Sequence, residues 1–296
     1  MKGIIGFIGL GTMGTPMAQC LLQSGFPLIV YDISPEKVKH IKALGAEAAT
    51  TARKVADRAC VIITMLPRPE ITDAVVLGDE GIIHDFKEGK ILIDMSTSSL
   101  ALTHRIYEAV EARNGEMLDA PVSGGYHGAE KGTLTIMVGG RAETFKKCEA
   151  LFRSMGKTIH YAGKGGSGHL LKLLNNLLYS INMCAAAEVL TMGEKLGLEL
   201  PRMVEILNSA SAGSYCLSEK APAFILPDDF SAGLKTDLLM KDIRLALEAG
   251  ENTECLQVFA GLAHQFFKIS SNSGLGGEDN SAVIKVFRAL SEKKIL

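Results

Sequence analysis

The stretch Gly168-His169-Leu170-Leu171-Lys172-Leu173-Leu174-Asn175-Asn176-Leu177-Leu178-Tyr179 places one amine in a leucine-rich run. Read as a helix, the spacing G-x-x-x-K-x-x-x-N sets Gly168, Lys172 and Asn176 on one stripe, and Tyr179 falls on the same face. Leucines flank the lysine on nearly every side, and an unpaired ammonium in such surroundings must find a partner or lower its pKa. A lysine of lowered pKa takes and returns protons near neutrality, which is general acid/base chemistry. Asn176 is placed to hold it in register with a substrate hydroxyl. On this helix alone a second reading fits equally well: the lysine snorkels to the surface and Asn176 is a solvated neighbour.

Two glycine-rich turns add chemistry of another kind. Asp119-Ala120-Pro121-Val122-Ser123-Gly124-Gly125 follows a strand pattern. Ser123 offers a hydroxyl there, and the N–H groups of Gly124 and Gly125 can close around a carboxylate, although as a plain turn the segment is unremarkable. Near the N-terminus, Gly9, Gly11 and Gly14 form G-x-G-x-x-G between a strand and a helix. The first glycine permits a tight turn, the second lets the backbone approach a pyrophosphate, and the third allows close helix-to-strand packing. The helix that starts there aims free N–H groups at phosphates, and Pro16 is tolerated in its first turn.

The second strand ends at Tyr31-Asp32, which puts a carboxylate 18 residues after Gly14. From that position it accepts hydrogen bonds from the adenosine ribose and repels a 2′-phosphate, so NAD is expected over NADP. Ile33 and Ser34 stand where an NADP site often supplies an arginine, and Lys37 is the only nearby cation in sequence. Beside such a dinucleotide, an acid/base lysine fits alcohol oxidation. Hydride leaves carbon while the hydroxyl proton moves to the amine, and a positive nicotinamide would lower the amine's pKa further.

The elements that must position these groups follow from periodicity. Short β-branched runs at 4–8, 28–31, 61–65, 90–93, 117–118, 134–138 and 158–161 alternate with helical patterns at 13–23, 35–44, 100–113 and 142–154. That alternation is the rhythm of a parallel sheet with crossover helices. After Tyr161 the glycines 163, 165, 166 and 168 form a hinge-like cluster, and the remainder reads as helical. A proline-free run from Ser167 to about Leu196 would span about 45 Å at 1.5 Å per residue. Shorter helices are expected at 202–208, 236–249, 256–267 and 281–291.

Composition excludes several classes of function. The 296 residues are 47% hydrophobic and 22% charged, with a formal net charge of −2, so no electrostatic footprint for nucleic acid or an anionic membrane is present. No apolar run reaches the roughly 20 residues of a membrane span. Lys2 alone precedes a glycine-interrupted apolar stretch that makes a poor signal peptide, which points to the cytoplasm. The six cysteines, Cys20, Cys60, Cys148, Cys184, Cys216 and Cys255, stand singly and read as reduced and structural, and no paired spacing suggests a metal.

An ordered series of segments spanning essentially the whole chain resembles the β-hydroxyacid dehydrogenase family. It comprises Phe7-Ile8-Gly9-Leu10-Gly11-Thr12-Met13-Gly14-Thr15-Pro16-Met17-Ala18, Met65-Leu66-Pro67, Asp94-Met95-Ser96-Thr97, Asp119 to Gly125, the lysine motif, and Lys241-Asp242. The resemblance implies an α/β fold. A Rossmann-type dinucleotide-binding domain over residues 1–163 would be followed by an all-α substrate and oligomerisation domain over residues 164–296, joined by the long helix. It implies Lys172 as catalytic acid/base with Asn176 in support, and Ser123, Gly124 and Gly125 on the substrate carboxylate. Gly9, Leu10, Gly11, Thr12, Met13, Gly14, Tyr31, Asp32, Met65, Leu66, Pro67, Thr97 and Lys241 would hold NAD. The implied reaction interconverts a small 3-hydroxy acid and its semialdehyde, as in 3-hydroxyisobutyrate dehydrogenases, tartronate semialdehyde (2-hydroxy-3-oxopropionate) reductases and 2-(hydroxymethyl)glutarate dehydrogenases. The implied assembly is a homodimer or homotetramer.

Some residues depart from the pattern or stand outside it. Arg68 stands where the family commonly has Asn, as does Cys20, and Arg68 reads either as a solvated loop residue or as a contact to cofactor or a further substrate anion. Tyr215, in Ser211-Ala212-Gly213-Ser214-Tyr215, is the largest side chain of a small-residue loop and a specificity candidate. His127 lies near the cradle but reads as a surface histidine. A decarboxylating enzyme of the 6-phosphogluconate dehydrogenase kind would carry His where Asn175 stands and be much longer. Imine reductases generally lack the motif lysine. A non-catalytic NAD-binding sensor is the alternative from another class, and it would bind NADH without turning over any semialdehyde.

Overall fold

The computed structural model describes residues 3–251 and 253–292, so Lys2 lies outside it. The chain divides into two compact units between Lys172 and Leu173, within one continuous helix. In the first unit the strands are β1 Ile5–Ile8, β2 Leu28–Tyr31, β3 Glu47–Ala48, β4 Val61–Thr64, β5 Ile91–Asp94, β6 Glu116–Asp119, β7 Val122–Ser123, β8 Leu134–Gly140 and β9 Gly156–Gly163. Between them lie α1 Gly14–Gln23, α2 Pro35–Ala43, α3 Ala52–Arg58, α4 Pro69–Val76, α5 Leu100–Glu111, α6 Gly125–Glu130 and α7 Ala142–Met155.

Strands β3, β2, β1, β4, β5 and β6 run parallel in that spatial order. β1, β4 and β5 are buried at every residue, which is why they read as continuous apolar runs rather than alternating ones. Alternation reappears as a division between two faces. Phe7, Val30, Ile63 and Ile93 pack with Met17, Leu21 and Phe152 on one side. Ile8, Ile29, Ile62 and Leu92 pack with Val55, Ile106 and Val110 on the other.

Past β6 the sheet departs from the all-parallel reading. β8 runs antiparallel to β6 and β7, which share one of its edges, and parallel to β9 on the other. The 14 residues 120–133 spend two on β7, which folds back antiparallel against β8, so the connection is a return rather than a helical crossover. The glycine cluster after β9 is tightly packed where a hinge would be open. A Cβ on Gly165 would lie 2.7 Å from the Tyr107 ring, and one on Gly168 would lie 2.4 Å from the Met137 carbonyl oxygen.

The long helix, α8, runs Ser167–Lys195. Its buried stripe includes Gly168, His169, Lys172, Leu173, Asn176, Ser180, Met183, Ala187 and Leu190. Leu170, Leu171, Leu174 and Leu178 are exposed, so the expectation of leucine on nearly every side of Lys172 is corrected. Leucine density marks an apolar helix, but only the 3.6-residue period decides which side is covered.

The second unit is helical: α9 Leu200–Ser209, α10 Thr236–Gly250, α11 Val258–Ser270 and α12 Val283–Glu292. Its core joins Met183 and Leu190 of α8 to Leu239, Ile243, Phe267 and Ile284. Cys216–Ile225 forms a π-helical segment around Pro222, and Leu226 N–H reaches back five residues to the Ala221 carbonyl at 2.9 Å. A proline inside an α-helix lacks its donor and clashes with the preceding turn, and the wider winding accommodates it. Cys255 is exposed, against the structural reading given to all six thiols, and the other five are buried or half-buried.

Candidate active site

Tyr31, Ile8, Thr64, Asp94 and Asp119 are successive partners across the sheet at the carboxyl ends of β2, β1, β4, β5 and β6. The segments singled out in the sequence leave from this row: the glycine loop after Ile8, Asp32 after Tyr31, Met65-Leu66-Pro67 after Thr64, Thr97 shortly after Asp94, and the cradle segment after Asp119. In parallel sheets ligands bind outside the carboxyl ends of the strands, where loops converge and helix N-termini point.

The glycine loop has the tight packing and the open face that its spacing predicts. A Cβ at Gly14 would meet the Gly9 carbonyl oxygen at 1.9 Å, so α1 starts hard against the loop. Gly11 has nothing within 4 Å of its Cβ position, so its missing side chain leaves open space rather than accommodating a neighbour. The Asp32 carboxylate accepts from Leu10 N–H at 2.6 Å and from Ser34 N–H at 2.8 Å, which pins it beside the loop. A cleft of about 340 Å³ opens beside Gly11, Thr12 and Thr15, bordered by Lys37, His40 and Tyr126. His40, one turn beyond Lys37, is a polar neighbour of this cleft that sequence distance did not suggest. Leu66 N–H donates to Ser96 Oγ at 2.9 Å, which joins the β4 and β5 loops.

The cradle segment turns at Gly124 and Gly125, with φ of 127° and 61°, and Gly125 faces open space. Ser123 is half-buried, whereas His127 and Arg68 are exposed. Asp119, quoted in the sequence without a role, organises what comes next. Its Oδ1 accepts from Tyr107 Oη at 2.7 Å and from Gly166 N–H at 2.8 Å, and its Oδ2 accepts from His169 N–H at 2.8 Å. A strand-end carboxylate therefore caps α8, satisfying N–H groups that have no partner within the helix. Burial and the adjacent carboxylate both push the Tyr107 phenol far up, so it stays a donor. Lys172, one turn after Gly168, is 9% exposed.

In the second unit Asn176 Nδ2 donates to Asp242 Oδ2 at 2.6 Å, and its Oδ1 accepts from Asn175 Nδ2 at 3.0 Å. A carboxylate can only accept here, so Asp242 fixes which way the Asn176 amide faces. Lys241 Nζ lies 3.1 Å from Asp242 Oδ1, close enough for an ion pair but not aligned as a hydrogen bond. The motif named Lys241 and left Asp242 without a task, because a buried carboxylate on another helix has no spacing relation to Asn176. Tyr215 is 59% exposed, edge-on to Tyr179 at 5.9 Å. Among the described residues no group of three or more His, Cys, Asp or Glu is arranged to hold a metal ion, and no helix is long and apolar enough to cross a membrane.

A mostly parallel sheet with a glycine loop after its first strand and a pinned carboxylate after its second, followed by a helical unit, defines a dinucleotide-binding protein of the Rossmann class. Residues 4–163 match the family model described as the NAD binding domain of 6-phosphogluconate dehydrogenase. Residues 166–287 match that described as NAD-binding of NADP-dependent 3-hydroxyisobutyrate dehydrogenase. The chain is 40% identical over 287 residues to 2-(hydroxymethyl)glutarate dehydrogenase of Eubacterium barkeri, covering 97% of this chain and 95% of that one. It is 37% identical over 292 residues to an NAD-dependent L-serine dehydrogenase of Pseudomonas aeruginosa, covering 96% and 97%. A solved Mycobacterium tuberculosis 3-hydroxyisobutyrate dehydrogenase with L-serine superposes with a TM-score of 0.88 at 29% identity, covering 97% of this chain and all of that one. The chain belongs to the β-hydroxyacid dehydrogenase family and is an NAD-dependent enzyme of that type.

The open space at Gly11 separates a binding role from a folding one. Gly11→Ala should leave stability within about 0.5 kcal/mol of wild type. It should raise the NADH dissociation constant at least about tenfold, the equivalent of roughly 1.4 kcal/mol. Fluorescence titration alongside urea unfolding reads both, and wild-type NADH affinity in a folded Gly11→Ala variant contradicts the assignment.

Proposed function

We propose that the chain interconverts a small 3-hydroxy acid and its semialdehyde, with NAD preferred over NADP and Lys172 as general acid/base. The observation that carries this reading is the placement of a buried lysine near the start of a helix capped by Asp119, in the same strand-end row that presents the glycine loop and the cradle. The bound dinucleotide would supply the hydride acceptor in one direction and the donor in the other. In oxidation the uncharged amine of Lys172 takes the proton of the substrate hydroxyl, and in reduction the ammonium returns it to the forming alkoxide. Asn176, held by Asp242, keeps the amine in line. Ser123 and the N–H groups of Gly124 and Gly125 take the substrate carboxylate. Tyr31 and Asp32 would take the adenosine ribose and Leu10, Thr12 and Met13 the pyrophosphate with the three glycines, and Met65, Leu66, Pro67, Thr97 and Lys241 would line the cofactor. Tyr215 is the candidate for setting substrate specificity.

Lys172→Ala should lower kcat at least about a hundredfold, the low end of what a positioned acid/base contributes, with NADH affinity nearly unchanged. Absorbance at 340 nm with C3 and C4 semialdehydes, NADH and NADPH side by side, reads activity, cofactor and substrate size together. Wild-type turnover in the lysine variant removes the mechanism, and tight NADH binding by the wild type without turnover of any semialdehyde favours a sensor.

The same reading makes the chain a homo-oligomer in the cytoplasm. Leu171, Leu174, Leu178, Val189, Met192 and Leu196 are exposed on a stripe that steps by three or four residues, with Asn182 and Ala185 filling the interval. Such a stripe matches a second copy of the same helix, and water leaves it uncompensated. The double substitution Leu174→Glu with Leu178→Glu should shift the sedimentation coefficient to that of a monomer. A wild-type chain that sediments as a monomer at micromolar concentration rejects the pairing.

A further inference from the structure

The first turn of α8 carries a second buried ionisable side chain that the proposed chemistry does not use. His169 is fully buried, as are Asp94 and Thr103. Its Nε2 lies 3.2 Å from the Ser96 carbonyl oxygen and 3.7 Å from Asp94 Oδ2, and its Nδ1 lies 2.7 Å from Thr103 Oγ1. Both neighbours of Nε2 only accept, so Nε2 carries the proton. The Thr103 hydroxyl is shared between Nδ1 and the Ser99 carbonyl, 2.8 Å away. Asp94 Oδ1 accepts from Thr64 Oγ1 at 2.9 Å and from Ser96 N–H at 3.1 Å, whereas the buried Oδ2 has no hydrogen-bond partner and faces the imidazole.

An Asp, His and Thr in sequence of contact resembles a nucleophilic relay, but no substrate reaches three fully buried groups. Their connections point to alignment. Ser96 precedes Thr97 and takes the Leu66 N–H on its own hydroxyl, so the ring that meets the Ser96 carbonyl is joined to both the β4 and β5 loops. Lys172 follows His169 by three residues, roughly 4.5 Å along the helix axis.

We infer that His169 is a positioning residue, clamping the first turn of α8 to the loops at Leu66 and Ser96-Thr97 and so fixing the Lys172 amine relative to the nicotinamide position. This rests on the proposed roles of Lys172 and Thr97. A displacement of about 1 Å at a reacting group costs on the order of a hundredfold in rate, so loss of the clamp acts on kcat and little on binding.

The test compares kcat, the KM values for NAD and the hydroxy acid, and urea unfolding in His169→Ala, His169→Gln and Thr103→Val. His169→Ala should lose about 10- to 100-fold in kcat, with both KM values within about threefold. His169→Gln keeps an N–H for the Ser96 carbonyl and should recover most of the rate. Thr103→Val retains the Nε2 contact and should show a smaller loss in the same direction, which keeps the test open if the alanine variant does not fold. Wild-type kcat in folded His169→Ala or Thr103→Val overturns the inference, as do equal losses in the alanine and glutamine variants that follow the folded fraction. Lys172→Ala assayed in parallel separates the two ideas. Turnover there defeats the lysine's role, whereas a dead lysine variant beside wild-type His169 variants defeats only the clamp.

Discussion

The carboxylate of Asp119 accepts from a tyrosine hydroxyl and from two backbone N–H groups at the start of α8, and the geometry of the candidate site follows from that junction. A helix N-terminus presents unpaired donors and a partial positive charge, and a buried carboxylate needs donors, so each satisfies what the other lacks. The approach is possible because Gly168 and Gly139 bring backbone against the Asp119 side chain, where Cβ atoms would come within 3 Å of its oxygens. Once the cap is set, helical geometry fixes where the residue one turn on emerges. That residue is Lys172.

Other buried cations serve the fold. Lys90 donates to the carbonyls of Ala56, Asp57 and Ala59, closing the C-terminal turn of α3, and burial lowers its pKa. Lys220 pairs with Asp279 at 2.5 Å over the Phe224 ring, and Asp279 also takes Leu234 and Ser281 N–H groups. Next to it Asn280 accepts from Tyr179 Oη at 2.6 Å, which steadies the ring that Tyr215 packs against. The two units thus each contain a polar network assembled at an α8 residue: Asp119 with His169 in the first, Asn280 with Tyr179 in the second.

Much of this was legible from spacing. Strands buried on both faces announce themselves as short β-branched runs, and the glycine loop with Asp32 carries its own register. Two-residue strands such as Glu47–Ala48 and Val122–Ser123 have no period to detect, and α3 and α4 are too short for theirs to stand out. The antiparallel β8 looks like its parallel neighbours because strand direction is a property of the connection, not of the residues. Asp94, His169 and Asp242 escaped for a different reason. Nothing in its immediate neighbourhood assigns each a task, because its significance lies in a partner 66 to 75 positions away: Asp94 with His169, and Asn176 with Asp242. The leucines near Lys172 misled because composition does not distinguish a covered face from one left for another surface.

The most direct test of the central claim is the single-turnover rate of hydride transfer in Asp119→Ala, followed by stopped-flow absorbance with NADH saturating. Removing the cap leaves the Gly166 and His169 N–H groups without their acceptor, a change that costs about 0.5–2 kcal/mol in helix stability. The expected result is a folded protein that still binds NADH but transfers hydride at least about tenfold more slowly, because the amine proposed as acid/base is no longer held in place. A folded Asp119→Ala variant with the wild-type transfer rate would show that α8 is aligned by something else, and the account would be wrong.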